Sequence, residues 1–121
     1  MGSGSWKQWL SFVIPIRDMT EQGRFGQLEL TWEHGRRVVN SANANQSFGT
    51  LHSVWQHCFR GIGVDKDPPD RVLLLGLGDG SVVHILRKEL GIIAPILAIE
   101  ADPVMLRGGK EYFGMDAIQD L

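Results

Sequence analysis

Arg71-Val-Leu-Leu-Leu-Gly-Leu-Gly-Asp-Gly-Ser81 is the stretch that decides how this chain folds. Val72, Leu73, Leu74 and Leu75 form an unbroken apolar run, the pattern of a parallel strand covered by helices on both faces. Gly76, Gly78 and Gly80 carry no Cβ, so the backbone can turn sharply there and a ligand can come close. Residues 81–90 then place Val82, Val83, Ile85, Leu86 and Leu90 at roughly helical spacing. The first turn of that helix points free N–H groups and the positive end of a dipole over the glycines. A second apolar strand, Ile96 to Ile99, ends in Glu100, whose carboxylate can accept two hydrogen bonds from ribose hydroxyls. Strand, glycine turn, helix, strand and terminal acid form the front half of a nucleoside-binding α/β site. The plainer alternative is a set of glycines that only permits a tight strand-to-helix turn.

The loop chemistry narrows the ligand. A dinucleotide fingerprint wants glycine where Ser81 stands, for close packing around a pyrophosphate. Asp79 inside the loop disfavours a pyrophosphate and suits a cation, such as the sulfonium or amino group of an S-adenosyl compound. No Gly-Lys-Ser/Thr follows, which excludes a Walker phosphate loop.

Downstream, Pro103 opens a last helix at a favoured first-turn position. Val104, Leu106, Tyr112 and Phe113 are expected to pack it down, and Gly108-Gly109 to weaken it. Upstream, residues 61–70 are a Gly/Pro-containing linker. A helix is expected over residues 49–61, with Leu51, Val54, Trp55, Cys58 and Phe59 as its core face. Residues 40–46, rich in Asn, Ser and Ala, form a polar loop that either contacts ligand or simply caps the next helix. Residues 27–32 alternate as a half-buried strand. Glu33-His-Gly-Arg36 is a hairpin turn in which Gly35 supplies a positive φ, and residues 37–40 are the return strand. Residues 17–25 are polar and read as a loop. Residues 6–16 are apolar-rich, with Trp6, Trp9, Leu10 and Val13 at helical spacing. They form a short docking helix on the chain itself or a partner, or else an interfacial membrane contact aided by Lys7 and Arg17.

At this point the sequence resembles a known family. Val72-Leu-Leu-Leu-Gly-Leu-Gly-Asp-Gly-Ser81 and Ala98-Ile-Glu-Ala-Asp-Pro-Val104 are similar to the Gly-Gly-Gly-Asp-Gly and Val-Glu-Ile-Asp motifs of spermidine synthases. Those enzymes are polyamine aminopropyltransferases built on the class I S-adenosylmethionine methyltransferase fold. Leu28-Glu-Leu-Thr-Trp-Glu-His-Gly-Arg-Arg-Val-Val-Asn-Ser41 and Asn43-Ala-Asn-Gln-Ser-Phe-Gly-Thr-Leu51 resemble the family's N-terminal β-region and its glutamine-bearing loop. The likeness runs from about residue 25 to about residue 115 and is nearest to short bacterial spermidine synthase-like proteins. It implies a pocket for S-adenosylmethionine or decarboxylated S-adenosylmethionine lined by Gly76, Gly78, Asp79 and Gly80. By the same resemblance Glu100 would hold the ribose and Gln46 would lie near the amino-acid end. The family's Asp-Ala motif has only Met115-Asp-Ala117 to set against it, directly after the last helix. The tyrosine and acidic pair expected after the Gln46 position are replaced by Phe48, His52 and Trp55. The family's catalytic acid would fall beyond Leu121, so no catalytic residue is assigned and this chain alone is expected to be catalytically incomplete.

The resulting fold expectation is α/β, a small N-terminal β-hairpin region plus the first βαβα half of a Rossmann-like methyltransferase fold. Three parts are expected: residues 1–25 as tag remnant and docking segment, 26–48 as hairpin and loop, and 49–121 as the partial nucleoside-binding domain. Two parallel strands leave an apolar edge open, so completion by another chain, as a dimer or as part of a longer protein, is expected. The alternative function is a non-catalytic oligomerisation or scaffold module retaining a remnant nucleoside pocket.

Composition sets the outer bounds. An apolar fraction of 43% with four Trp belongs to a folded chain rather than a disordered one. A net charge of −2 does not favour nucleic acid, and residues 61–121 hold ten of the 14 acids, which weakly suits a cationic ligand. Cys58 is the single cysteine, which removes internal disulfides and cysteine zinc sites. His52 and His57 fall on different helix faces, so no metal site is expected. Met1-Gly-Ser-Gly-Ser5 has no signal-peptide character and no run approaches a membrane span. A cytoplasmic location is therefore expected.

Overall fold

The computed structural model describes residues 3–42 and 44–115, with side chains described from residue 6 onward except at 43–47. Its class is mixed α/β. Strands β1 (Ile16–Gly23), β2 (Gly26–Glu33), β3 (Arg36–Ser41) and β4 (Ala44–Ser47) pair in chain order as an antiparallel sheet. Strands β5 (Val72–Leu75) and β6 (Ile96–Ile99) form a separate parallel pair in the register Val72↔Ile96 to Leu75↔Ile99. Helix α1 (Ser3–Leu10) precedes the first sheet. Helix α2 (Gly49–Ile62) joins the two sheets, α3 (Ser81–His84) starts the parallel crossover, and α4 (Pro103–Phe113) follows β6. Among the described residues, no helix is long and apolar enough to cross a membrane.

The expected hairpin is present, with Gly35 at φ 76 and His34 at φ 49 in its turn. Two polar segments expected as loops are strands instead. Residues 16–23 pair along β2, so the N-terminal segment shares one sheet with the hairpin. Most of residues 40–46 pair as the end of β3 and the start of β4. Both are edge strands held by backbone ladders, and edges carry polar side chains. In β1 the charges find partners: Arg17 pairs with Glu29 at 2.9 Å. Asp18, at the register shift between Arg17 and Met19, takes Lys7 at 2.5 Å and Arg37 at 3.5 Å.

Helix α1 docks on the hairpin turn. Ser11 accepts from Gly35 N through its hydroxyl, and its carbonyl accepts from His34 N, each at 2.9 Å. Phe12 lies against Gly35 so closely that a Cβ there would overlap its ring. Trp6 and Trp9 remain exposed.

The main core gathers Leu77, Val82, Val83, Leu86, Ile92, Ala94, Ile96 and Met115, with Val72, Leu74 and Ala98 of the parallel pair packed on it. The opposite face of that pair is bare: Leu73, Leu75, Leu97 and Ile99 are all more than half exposed. This corrects the expectation of strands covered on both faces. In α2, likewise, no residue is buried. Val54, Trp55 and Cys58 are exposed, and Leu51 and Phe59 are half-buried. The apolar stripe of α2 is real, but only its Phe59 packs against the main core, while Val54, Trp55 and Cys58 stay exposed.

The helix expected over residues 81–90 is α-helical for one turn and π-helical over Ile85–Glu89, closed by Leu90 N donating to Ile85 O at 2.9 Å. The wider turn leaves both Ile85 and Leu86 buried. Helix α4 opens with Pro103, as expected, and Asp102 caps it by accepting from Val104 N at 2.9 Å. Met105 packs it onto Leu30 and Val39 of the antiparallel sheet, with Tyr112 and Phe113 alongside. Leu106, expected inside, is exposed.

Candidate functional site

The site grows from the C-terminal ends of the parallel strands. Past β5, the backbone N–H groups of Gly76 and Leu77 both donate to Ile99 O, at 2.9 and 3.3 Å, so the start of the bend is fastened to the neighbouring strand. Gly76 at φ 86 and Gly78 at φ 59 then turn the chain. Glu100, the next residue after β6, reaches into that turn. Its Oε2 accepts from Gly78 N at 2.7 Å and its Oε1 from Asp102 N at 2.8 Å. Each oxygen has used one lone pair, and a carboxylate offers about four acceptor sites. Both oxygens therefore keep capacity to accept from a further donor.

A cavity of about 370 Å³ lies beside this carboxylate. Gly76, Gly78, Glu100 and Asp102 line one side, and Phe25 and Gln27 from the β1–β2 turn and the start of β2 line another. The volume is within the range of small-molecule sites. The position of a Cβ on Gly76 is open space, so the bend itself does not fill the cavity. The β1–β2 turn is held there by Asp102: Arg24 N donates to Asp102 Oδ2 at 2.7 Å, and the Arg24 guanidinium donates to Ala101 O at 3.3 Å.

Three of the expected site residues, Gly76, Gly78 and Glu100, therefore come together around one cavity. Asp79 and Gly80 do not line it. Asp79 is buried against α4, where a Cβ on Gly108 would stand 2.7 Å from its Oδ1. Burial raises its carboxyl to about 7 from an ordinary 3.8; the charges of Glu100 and Asp102 add to the rise, and a hydrogen bond from the Gly109 backbone opposes it. Gly80, at φ 101, faces the buried Met115 side chain, which would overlap a Cβ there. The reason is the approach of α4 and the residue just past it: Gly108 and Gly109 let the helix come down onto Asp79, and Met115 closes over Gly80. Gln46 lies in β4, with its side chain outside the described residues. Asp116 and Ala117 also lie outside them.

Sequence reasoning missed Asp102 and the Gly108-Gly109 pair. Both left signals. Asp before Pro is a helix N-cap signature, and a glycine pair inside an otherwise sound helix marks close approach as readily as weakness. Among the described residues no cluster of three or more His, Cys, Asp or Glu could hold a metal. The sequence matches no protein-family model and no curated protein.

Proposed function

We propose that the chain binds the adenosyl part of S-adenosylmethionine or decarboxylated S-adenosylmethionine, in a spermidine synthase-like or methyltransferase-like site. The site would stand on the first half of a Rossmann-like fold. One observation carries the reading: the Glu100 carboxylate meets the Gly76–Gly78 bend at the mouth of an open cavity of suitable size. The carboxylate side chains of Glu100 and Asp102 in the lining give the surroundings the negative sign that a sulfonium prefers. In this reading the ligand brings its own reactivity, and the protein supplies position and shelter from water.

Calorimetry with both adenosyl ligands tests it, with adenosine as the uncharged control. The wild-type chain is expected to bind the charged ligands more tightly than adenosine. Glu100→Gln should weaken them about tenfold, and Glu100→Ala about a hundredfold, as one and then two charge-assisted hydrogen bonds are lost. Because Glu100 also orders Gly78 and Asp102, each variant is melted alongside. A folded wild-type chain that takes up neither ligand at millimolar concentration would refute the site.

A second reading, an oligomerisation or scaffold module, is favoured by the bare face of Leu73, Leu75, Leu97 and Ile99. Contiguous exposed apolar faces mark association surfaces. Light scattering of the wild-type chain is expected to show concentration-dependent dimers. Leu75→Lys with Leu97→Lys should shift the population to monomer. A wild-type monomer that melts cooperatively at every concentration would remove the self-association.

A further inference from the structure

A second cavity, of about 470 Å³, opens where the β2–β3 turn, the start of α2, the π-turn and the end of α4 converge. None of its lining residues lines the cavity beside Glu100. Two stacks of flat groups build its walls. In one, Phe48 lies parallel to Phe113, with ring centroids 4.3 Å apart, and to His52 at 5.3 Å, while His84 meets it edge-on at 5.6 Å. In the other, the Arg37 guanidinium lies over Trp32 at 4.8 Å and over Tyr112 at 5.1 Å. Phe48 holds its place at φ 62 and ψ −162, a backbone region that side-chain-bearing residues rarely occupy, with its N–H donating to Ser81 Oγ at 2.5 Å.

The charges of this cleft are one-sided. Arg36 and Lys88 stand exposed at its rim and form no ion pair among the described residues. Glu89 is the one acid in the lining, and it is already satisfied by His52 Nε2 and Gln56 Nε2, each at 2.8 Å. Burial pushes the Glu89 carboxyl up, but those two hydrogen bonds and the neighbouring charges of His52 and Arg60 hold it below the usual carboxylate range. The hydrogen-bond balance is one-sided too. Trp32 Nε1 and Arg37 Nε are buried without a hydrogen-bond partner among the described residues, and both residues line this cleft. Trp32 and Arg37 can only donate there. Neither atom has surface open to the cleft, so what the cleft presents to a ligand is the positive charge of Arg36 and Lys88 at its rim.

We propose that this cleft is a binding site for a small planar anion, an aromatic ring carrying a carboxylate or phosphate group. The ring is held by the aromatic and guanidinium faces. The oxyanion meets Arg36 and Lys88. The volume suits one ring with a charged substituent rather than an extended polymer. The proposal is independent of the adenosyl reading, since the two cavities share no lining residue.

The test is a titration followed by the indole N–H resonance of Trp32, assigned by its loss in Trp32→Phe. Benzoate and phenyl phosphate are the probes; benzamide and inorganic phosphate are the controls lacking the charge and the ring. At least one of the two acids is expected to shift the resonance and saturate with a Kd of about 1 mM or tighter. Both controls should bind at least about tenfold more weakly. The better of the two acids distinguishes carboxylate from phosphate. Arg36→Gln with Lys88→Gln, both at exposed positions, should keep the melting temperature and weaken the acid about tenfold. The proposal is overturned if neither acid moves the Trp32 resonance at about 10 mM. It is equally overturned if benzamide or inorganic phosphate binds as well as the acid, or if the double variant binds the acid unchanged.

Discussion

At pH 8, Asp79→Asn is expected to stabilise the fold by about 2–4 kcal/mol, and at pH 4 to change it by little. The wild-type side chain is buried between the glycine bend and α4, and its carboxyl is raised from 3.8 to about 7, first by burial and then by the charge of Glu100. A folded-state pKa above the unfolded one means that the folded chain holds a proton the unfolded chain has released. Stability from this group is therefore fully present below about pH 4, falls as pH rises toward 7, and stays lost above it. Asparagine keeps an oxygen to accept from Gly109 and has no charge to bury. Thermal melts of both proteins across this range measure the effect. The difference should reach roughly 10 °C at pH 8 for a chain of this size. An equal difference at pH 4 and pH 8 would show that Asp79 does not titrate in that interval.

The second large effect is a loss. Gly80→Ala is expected to cost about 2–4 kcal/mol in urea unfolding. Its backbone sits at φ 101, and a Cβ there would run into the buried Met115 side chain. Gly76→Ala is the comparison, because it shares a positive φ of 86 but has open space where its Cβ would stand. It should cost only about 1 kcal/mol, the conformational part alone. Adding Met115→Ala should relieve Gly80→Ala in a double-mutant cycle and leave Gly76→Ala unaffected. Equal losses at the two glycines would mean that backbone conformation, not the approach of Met115, governs the bend.

The elements legible in the sequence were those with their own local pattern. Four consecutive apolar residues before a triple-glycine bend gave β5, Asp-Pro gave the start of α4, and alternation around Gly35 gave the hairpin. What escaped was structure specified from elsewhere. Strand β1 has the sequence Ile-Arg-Asp-Met-Thr-Glu-Gln-Gly, with no apolar alternation, because its backbone is fixed by β2 and its charges by Lys7, Arg37 and Glu29. Strand β4 is polar for the same reason. The apolar stripe of α2 was read correctly as a stripe, but a stripe does not reveal whether a partner surface is supplied. At the site, the pairing of Glu100 with the glycine bend was legible because both lie at adjacent strand ends. The turning of Asp79 toward α4 and of Gly80 toward Met115 was not, since it depends on residues about thirty or more positions away in the chain.

Asp102 divides its two carboxylate oxygens between the start of α4 and the backbone of Arg24, a residue 78 positions earlier. During synthesis the antiparallel meander therefore leaves the ribosome long before the side chain that fastens its first turn. Leu30 and Val39 wait through the same interval for Met105 to cover them. Closure across so long a span is entropically slow relative to local pairing. The order of events is thus built into the chain: an early sheet, uncovered on its inner face, and a late clasp that ties its first turn to the start of α4.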